Sequence, residues 1–203
     1  MPHHHPFSII GFHSCDREVG LRVLNGDDEL RPSQNTWDWL GEGIYFWEQN
    51  PIRAFEYARE SAERKQFNKI PIVTPFVLGA HIELGNCLNL VENQSLKILQ
   101  EAYAGLEKLM GEAGQGMPVN KGNNKALDCA VIQYIHQSNK KEGKHRYDTV
   151  RCAFQEGSAA YPGATVSTRL HIQVCVINPD CIRGYFLPRP LEKFNPHLKK
   201  WPK

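Results

Sequence analysis

The first apolar run, Phe7-Ser8-Ile9-Ile10-Gly11-Phe12-His13, predicts an early strand that ends at a polar turn, Ser14-Cys15-Asp16. Asp27 to Asn35 is polar, contains Pro32, and reads as a loop. Gly43-Ile44-Tyr45-Phe46-Trp47 predicts a short strand, and alternation sets Tyr45 on the face opposite Ile44 and Phe46. Asn50-Pro51 then supplies an N-cap residue and a proline at the first helical position. Phe55, Ala58 and Ala62 follow at helical spacing. Pro75 to Leu90 is β-rich but interrupted by Gly79 and Gly85. Leu96, Leu99, Tyr103, Leu106 and Met110 trace one face of a helix. Gly111 to Asn124, with four glycines, reads as a mobile loop, and Leu127 to His136 as a short buried helix. The last third predicts strands at Thr149–Phe154, His171–Ile177 and Ile182–Leu187. The mixture argues for an α+β fold in one domain, 1–203, with the first and last strands paired in one sheet.

Composition narrows the class. The chain has 203 residues, of which 41% are hydrophobic and 23% charged, which excludes a disordered polyampholyte. A net charge of +2 lacks the basic excess of a dedicated nucleic-acid binder, yet leaves a nucleic acid open as a transient substrate. No stretch reaches the ~18 apolar residues of a membrane helix, so no membrane partner is expected. Met1 to Gly11 shows no charged start before an apolar run, and the six cysteines are scattered without a CxxC pair. Reduced thiols and a cytoplasmic location are the corresponding expectation. The tract His3-His4-His5 reads as a terminal segment rather than a metal site.

Three segments could carry chemistry. His13 ends the first strand and can offer a ring nitrogen to a hydroxyl without carrying charge. Trp37-Asp38-Trp39-Leu40-Gly41-Glu42-Gly43-Ile44-Tyr45-Phe46-Trp47-Glu48 crowds aromatic rings around glycines that allow close backbone approach. Core filling suits Phe46 and the tryptophans, and Asn35 and Asp38 either contact a ligand or cap a turn. On the late strand His171, Gln173 and Cys175 share a face that is either solvated or lines a cleft. No GxGxxG or Walker cradle is present.

A histidine ending the first strand, a G-x-G-I-Y-F stretch and a polar residue on a late strand stand in the order of the ADP-ribosyltransferase superfamily. Leu40-Gly41-Glu42-Gly43-Ile44-Tyr45-Phe46 resembles the F-G-K-G-I-Y-F of its poly(ADP-ribose) polymerases. His13-Ser14 resembles their H-G pair, and Gln173-Val174-Cys175-Val176-Ile177-Asn178 lies where they carry E-Y-[IV]-V-Y-N. The chain is also similar to a group of uncharacterised bacterial proteins assigned to this fold. The motifs cover about a quarter of its length.

The resemblance implies a split β-sheet with flanking helices and NAD as co-substrate. It implies a His-Tyr-Glu catalytic triad, carried here by His13, Tyr45 and Gln173. His13 would bond a ribose hydroxyl, the Ser14 backbone would hold the nicotinamide amide, and Tyr45 would stack on the nicotinamide ring. Asn35 would contact the co-substrate, and Arg53 and Tyr57 would lie at the pocket's open edge. Ser14 replaces a glycine, Glu42 a lysine and Gln173 the catalytic glutamate. An amide lacks the charge that stabilises an oxocarbenium ion, so single transfer is expected rather than chain elongation. Glu48 and Glu156 are the candidate general bases for an acceptor, either protein or nucleic acid. A bacterial toxin with an antitoxin or immunity partner is one role compatible with this. A catalytically inactive NAD- or ADP-ribose-binding module is the alternative, and an RNA 2′-phosphotransferase a further one.

Overall fold

The computed structural model describes residues 4–64 and 71–198, and side chains from Ser8 onward, so the histidine tract lies outside the described side chains. Its architecture is α+β: one mixed six-stranded sheet with flanking helices. The strands are β1 (His4–Asp16), β2 (Ile44–Glu48), β3 (Pro75–Asn89), β4 (Thr149–Phe154), β5 (His171–Val176) and β6 (Ile182–Phe186). The helices are α1 (Arg17–Asn25), α2 (Pro51–Glu63), α3 (Asn93–Glu112), α4 (Ala126–Lys141) and α5 (Leu191–Phe194). Ladders run β1–β2–β5–β4–β3 and return from β3 to β1, so five strands form a closed circuit. β6 adds to β3. Among the described strands only β3–β4 is parallel.

Several expectations need correction. The first strand does not stop at Ser14, because β1 continues to Asp16 in register with β3 as far as Pro75. Asp16 then caps α1, a helix absent from the sequence reading, by accepting from Glu18 N at 3.0 Å. Its other oxygen accepts from Val73 N and Thr74 N, tying the start of β3 to the same side chain. Gly79 and Gly85 do not break β3. A Cβ at Gly79 would sit 2.5 Å from the Phe186 ring, so glycine there admits β6. The first and last strands share the sheet but do not pair; β3 stands between them. The Asn50-Pro51 start holds: Asn50 Oδ1 accepts from Arg53 N at 3.0 Å.

Strand alternation sorts the core. Ile44, Phe46, Val174 and Val176 face one way and join Ile9, Leu78, Ile82 and α1 in the main core. Tyr45, Cys175 and Val150 face the other way, under the α3–α4 pair. Trp47, on that second face but further along β2, packs with Phe12, Val77 and Ala54 of α2. The late strand's second face is therefore not a solvated one, since His171 and Cys175 are buried. Trp37, by contrast, is exposed rather than core.

Gly43 immediately precedes β2, and it pairs backbone to backbone with Ser33. A Cβ there would lie 2.4 Å from Cys175 Sγ and 2.7 Å from Val176 O. Gly43→Ala should therefore destabilise the fold by about 1–3 kcal/mol through overpacking, read as a lower urea midpoint.

Candidate functional site

The site grows from an interruption in the sheet. Gly11 pairs with Glu48 and Phe12 with Trp47, and the β1–β2 ladder ends there. The next hydrogen-bonded pair would join Ser14 to Tyr45. Instead His13 Nδ1 donates to Tyr45 O at 2.8 Å, so a side chain occupies the carbonyl that ladder geometry offers to a backbone N–H. Ile10 O accepts from Gln49 N on the β2 side. Alternation along β1 then aims the N–H and C=O of Ser14, four residues on, toward the side where β2 no longer pairs. The Ser14 hydroxyl turns the other way and donates to Ala54 O of α2.

The bond fixes the chemistry of His13. A carbonyl can only accept, so Nδ1 carries the proton and Nε2 presents a lone pair. Burial lowers the pKa of His13 and keeps the ring neutral at pH 7. Tyr45 is pinned as firmly: its hydroxyl donates to Gly41 O at 2.6 Å and accepts from Leu40 N at 2.9 Å. Gly41 adopts a left-handed conformation, φ 80°, that turns its carbonyl to this bond. Burial raises the Tyr45 phenol well above its ordinary value, so the residue offers a ring face and not an acid or base.

Gln173 pairs with Trp47, the β2 residue at which the ladder with β1 ends on the Tyr45 side, while Tyr45 pairs with Cys175. Tyr45 and Gln173 are thus diagonal neighbours on one face, about 7–8 Å apart by sheet geometry. Gln173 Nε2 lies 3.1 Å from His171 Nε2, and His171 Nδ1 lies 2.7 Å from Arg169 O. Glu156 Oε2 is 3.8 Å from His171 Nδ1 and 2.8 Å from Arg53 Nη2. The Arg53 guanidinium stands 5.9 Å from the Trp47 ring centroid, and Tyr57 lies 5.1 Å from that ring.

The remaining expected residues fall in different places. Arg53 is not at an open edge; its side chain is 7% exposed and ion-paired. Tyr57 is partly exposed. The Asn35 side-chain amide is directed to Ser33 Oγ and Asp38 Oδ1, and Asp38 Oδ2 accepts from Asn35 N, so this pair builds a turn. Glu48 does not share the strand face of Tyr45 and Gln173. It is held by Arg151 through bonds of 2.6 and 2.9 Å. Glu156 is the candidate carboxylate on the Gln173 side. Sequence reasoning placed His171 on the Gln173 face and gave it no specific role; its i,i+2 spacing to Gln173 was the available signal. Cavities of about 530 Å³ at Gly26–Pro32 and about 420 Å³ between α2 and Pro196-His197 are lined by none of the triad positions. Among the described residues no helix is long and apolar enough to cross a membrane, and no group of three or more His, Cys, Asp or Glu could hold a metal ion.

No family model and no solved structure matches the chain. It is 25% identical over 207 residues to an uncharacterized protein of Methanocaldococcus jannaschii, with 90% of each chain covered. That name carries no activity, and the similarity extends along nearly the whole of both chains.

Burial holds both His13 and His171 below their ordinary value of 6.5. On acidification the unfolded chain binds those protons first. The contribution of these two histidines should stay level above about pH 7 and fall as the pH drops below the unfolded value toward the folded ones. Urea midpoints across this range should show that decline, and His13→Phe and His171→Phe should each flatten it. A further part is expected from His136, which burial pushes down to about 4.

Proposed function

We propose that this chain is an NAD-dependent mono-ADP-ribosyltransferase with an ADP-ribosyltransferase-like split sheet. The observation that carries this reading is the parting of β1 and β2 at Phe12/Trp47, with His13 bridging to Tyr45 O. It leaves a neutral Nε2 acceptor, the peptide groups of Ser14 and a fixed tyrosine ring beside the point where the two strands part. A nicotinamide riboside calls for that set: a hydroxyl donor for the imidazole, a carboxamide for the peptide groups and a flat ring for Tyr45.

In the reaction the bond between ribose C1′ and the nicotinamide nitrogen breaks. Its electron pair goes to the ring nitrogen and nicotinamide leaves neutral. An acceptor oxygen or nitrogen forms the new bond to C1′, and its proton passes to a base or to water. His13 accepts from a ribose hydroxyl, Tyr45 stacks on the departing ring, and Gln173 Oε1 accepts from the 2′-hydroxyl. Positioning and fixed dipoles supply the acceleration. Gln173 contributes no charge, which agrees with single transfer. Glu156, beside His171, is the carboxylate proposed to receive the acceptor proton. The acceptor is a protein or a nucleic acid, and a toxin restrained by an antitoxin or immunity partner is the role proposed with it.

Gln173 at the glutamate position also favours a second reading, an inactive module that binds NAD or ADP-ribose. The two differ in one assay. Incubation with labelled NAD and cell lysate should release nicotinamide and yield label removed by either protease or nuclease. Saturable NAD binding without release would select the inactive module.

Variants at Tyr45 test the stack. Tyr45→Ala should weaken NAD binding about tenfold or more, since a base–aromatic stack contributes roughly 1–3 kcal/mol. Tyr45→Phe keeps the ring but loses the bonds to Leu40 and Gly41, so its main cost should be stability. Calorimetry giving equal NAD affinity for folded wild type and Tyr45→Ala would remove the stacking role. His13→Ala should depress turnover, with a loss on the order of 1–3 kcal/mol for the missing hydrogen bond.

A further inference from the structure

The hydrogen bonds at the start of β5 run in one direction. Arg169 O can only accept, so His171 Nδ1, 2.7 Å away, carries a proton and donates to it. Gln173 Nε2 can only donate, so His171 Nε2, 3.1 Å away, is the unprotonated nitrogen that accepts. A backbone carbonyl thereby sets the tautomer of the imidazole, and the imidazole sets which end of the carboxamide faces it. The His171 side chain is completely buried, which holds the ring still between Arg169 and Gln173. Phe154 stands beside it with ring centroids 6.0 Å apart.

An amide has two unlike ends. If it rotated by half a turn about its last bond, it would present an NH2 where an oxygen is needed. Nothing in a glutamine side chain alone prevents that rotation, and the terminal torsion is broad and roughly two-fold. A carboxylate has no such problem, because its two oxygens are equivalent. A glutamine in a place that must accept a hydroxyl proton therefore needs an outside acceptor for its NH2 group.

We propose that His171 is a positioning residue that holds the Gln173 carboxamide with Nε2 bound and Oε1 turned away as the acceptor for the ribose 2′-hydroxyl. The assignment rests on the ADP-ribosyltransferase reading for the identity of that hydroxyl, while the orientation of the amide stands without it. His171 touches no reacting atom in this role. It converts an ambiguous amide into a single-sided acceptor, which is the part of a glutamate's work that a glutamine can still perform.

Two measurements test this. The first needs no turnover: ¹⁵N NMR of the full-length protein should show His171 Nε2 as an unprotonated acceptor, with a trans-hydrogen-bond N–N coupling to Gln173 Nε2. Absence of that coupling overturns the proposal whatever the protein does with NAD. The second is a double-mutant cycle in nicotinamide release. His171→Phe should lower kcat about tenfold with KM for NAD within about twofold, because the amide is free to present the wrong end. In a Gln173→Glu background the same substitution should cost less than about threefold, since the carboxylate needs no orientation. Activity of that double variant also shows that the His171→Phe chain folds. Equal losses in both backgrounds would mean that His171 merely supports the fold, and the proposal fails. A wild type that shows the coupling but neither binds nor cleaves NAD overturns the ADP-ribosyltransferase reading, and the assigned 2′-hydroxyl role with it. A wild type that cleaves NAD without coupling or without background dependence overturns the positioning role alone.

Discussion

The hydrogen bond from His13 Nδ1 to Tyr45 O, 2.8 Å long, is the constraint on which the candidate site depends. Two neighbouring strands ordinarily stay together because a buried carbonyl without a partner costs free energy comparable to a lost hydrogen bond. By satisfying that carbonyl from a side chain, His13 lets β2 depart from β1 without the penalty. Both flanks of the opening are held from outside the ladder. Ser14 is tied to α2 through Ala54 O, and Glu48, at the end of β2, is clamped by Arg151, which also donates to Asn89 of β3. The gap is thus a built feature of the sheet and not a frayed edge.

The electrostatic character of the site follows from two imidazoles treated alike. His13 and His171 each donate from Nδ1 to a main-chain carbonyl, and burial lowers the pKa of each. Both therefore act as neutral acceptors at Nε2, one free and one engaged by Gln173. The nearby carboxylate, Glu156, is balanced by Arg53 at 2.8 Å. The face around Gln173 holds dipoles with directed lone pairs in place of a net negative charge.

The sequence was most readable where local chemistry and tertiary demand agree. Asn50-Pro51 started a helix because the cap needs only neighbours, and the alternation of Ile44, Tyr45 and Phe46 named the correct faces because β2 has a core on each side. Helix α1 escaped because Gly20 interrupts its pattern, and that glycine answers to a distant constraint. A Cβ there would sit 2.3 Å from the Phe76 ring. The signals were present at its ends, Asp16 as cap and Gly26 at a left-handed φ of 79°. Glu48 looked available because its partner, Arg151, lies 103 residues away and no local pattern announces it. The role of Asn35 was open for the opposite reason, since a turn with Asp38 and a ligand contact call for the same residue types.

The closed circuit of ladders has a consequence for the order in which the protein is made. β1 meets β3 early in the chain, but among the described strands β2 pairs on its far side with β5, and β5 is what links it to β4. A ribosome that has delivered residues 1–141 has supplied β1, β2, β3 and the four longer helices but no closing strand. During that interval β2 hangs from two pairs with β1, and the face carrying Tyr45 has no β5 to lie beside it. The strand that closes the circuit is also the one that bears His171 and Gln173. Completion of the fold and completion of the site are therefore a single event, timed by the emergence of the last third of the chain.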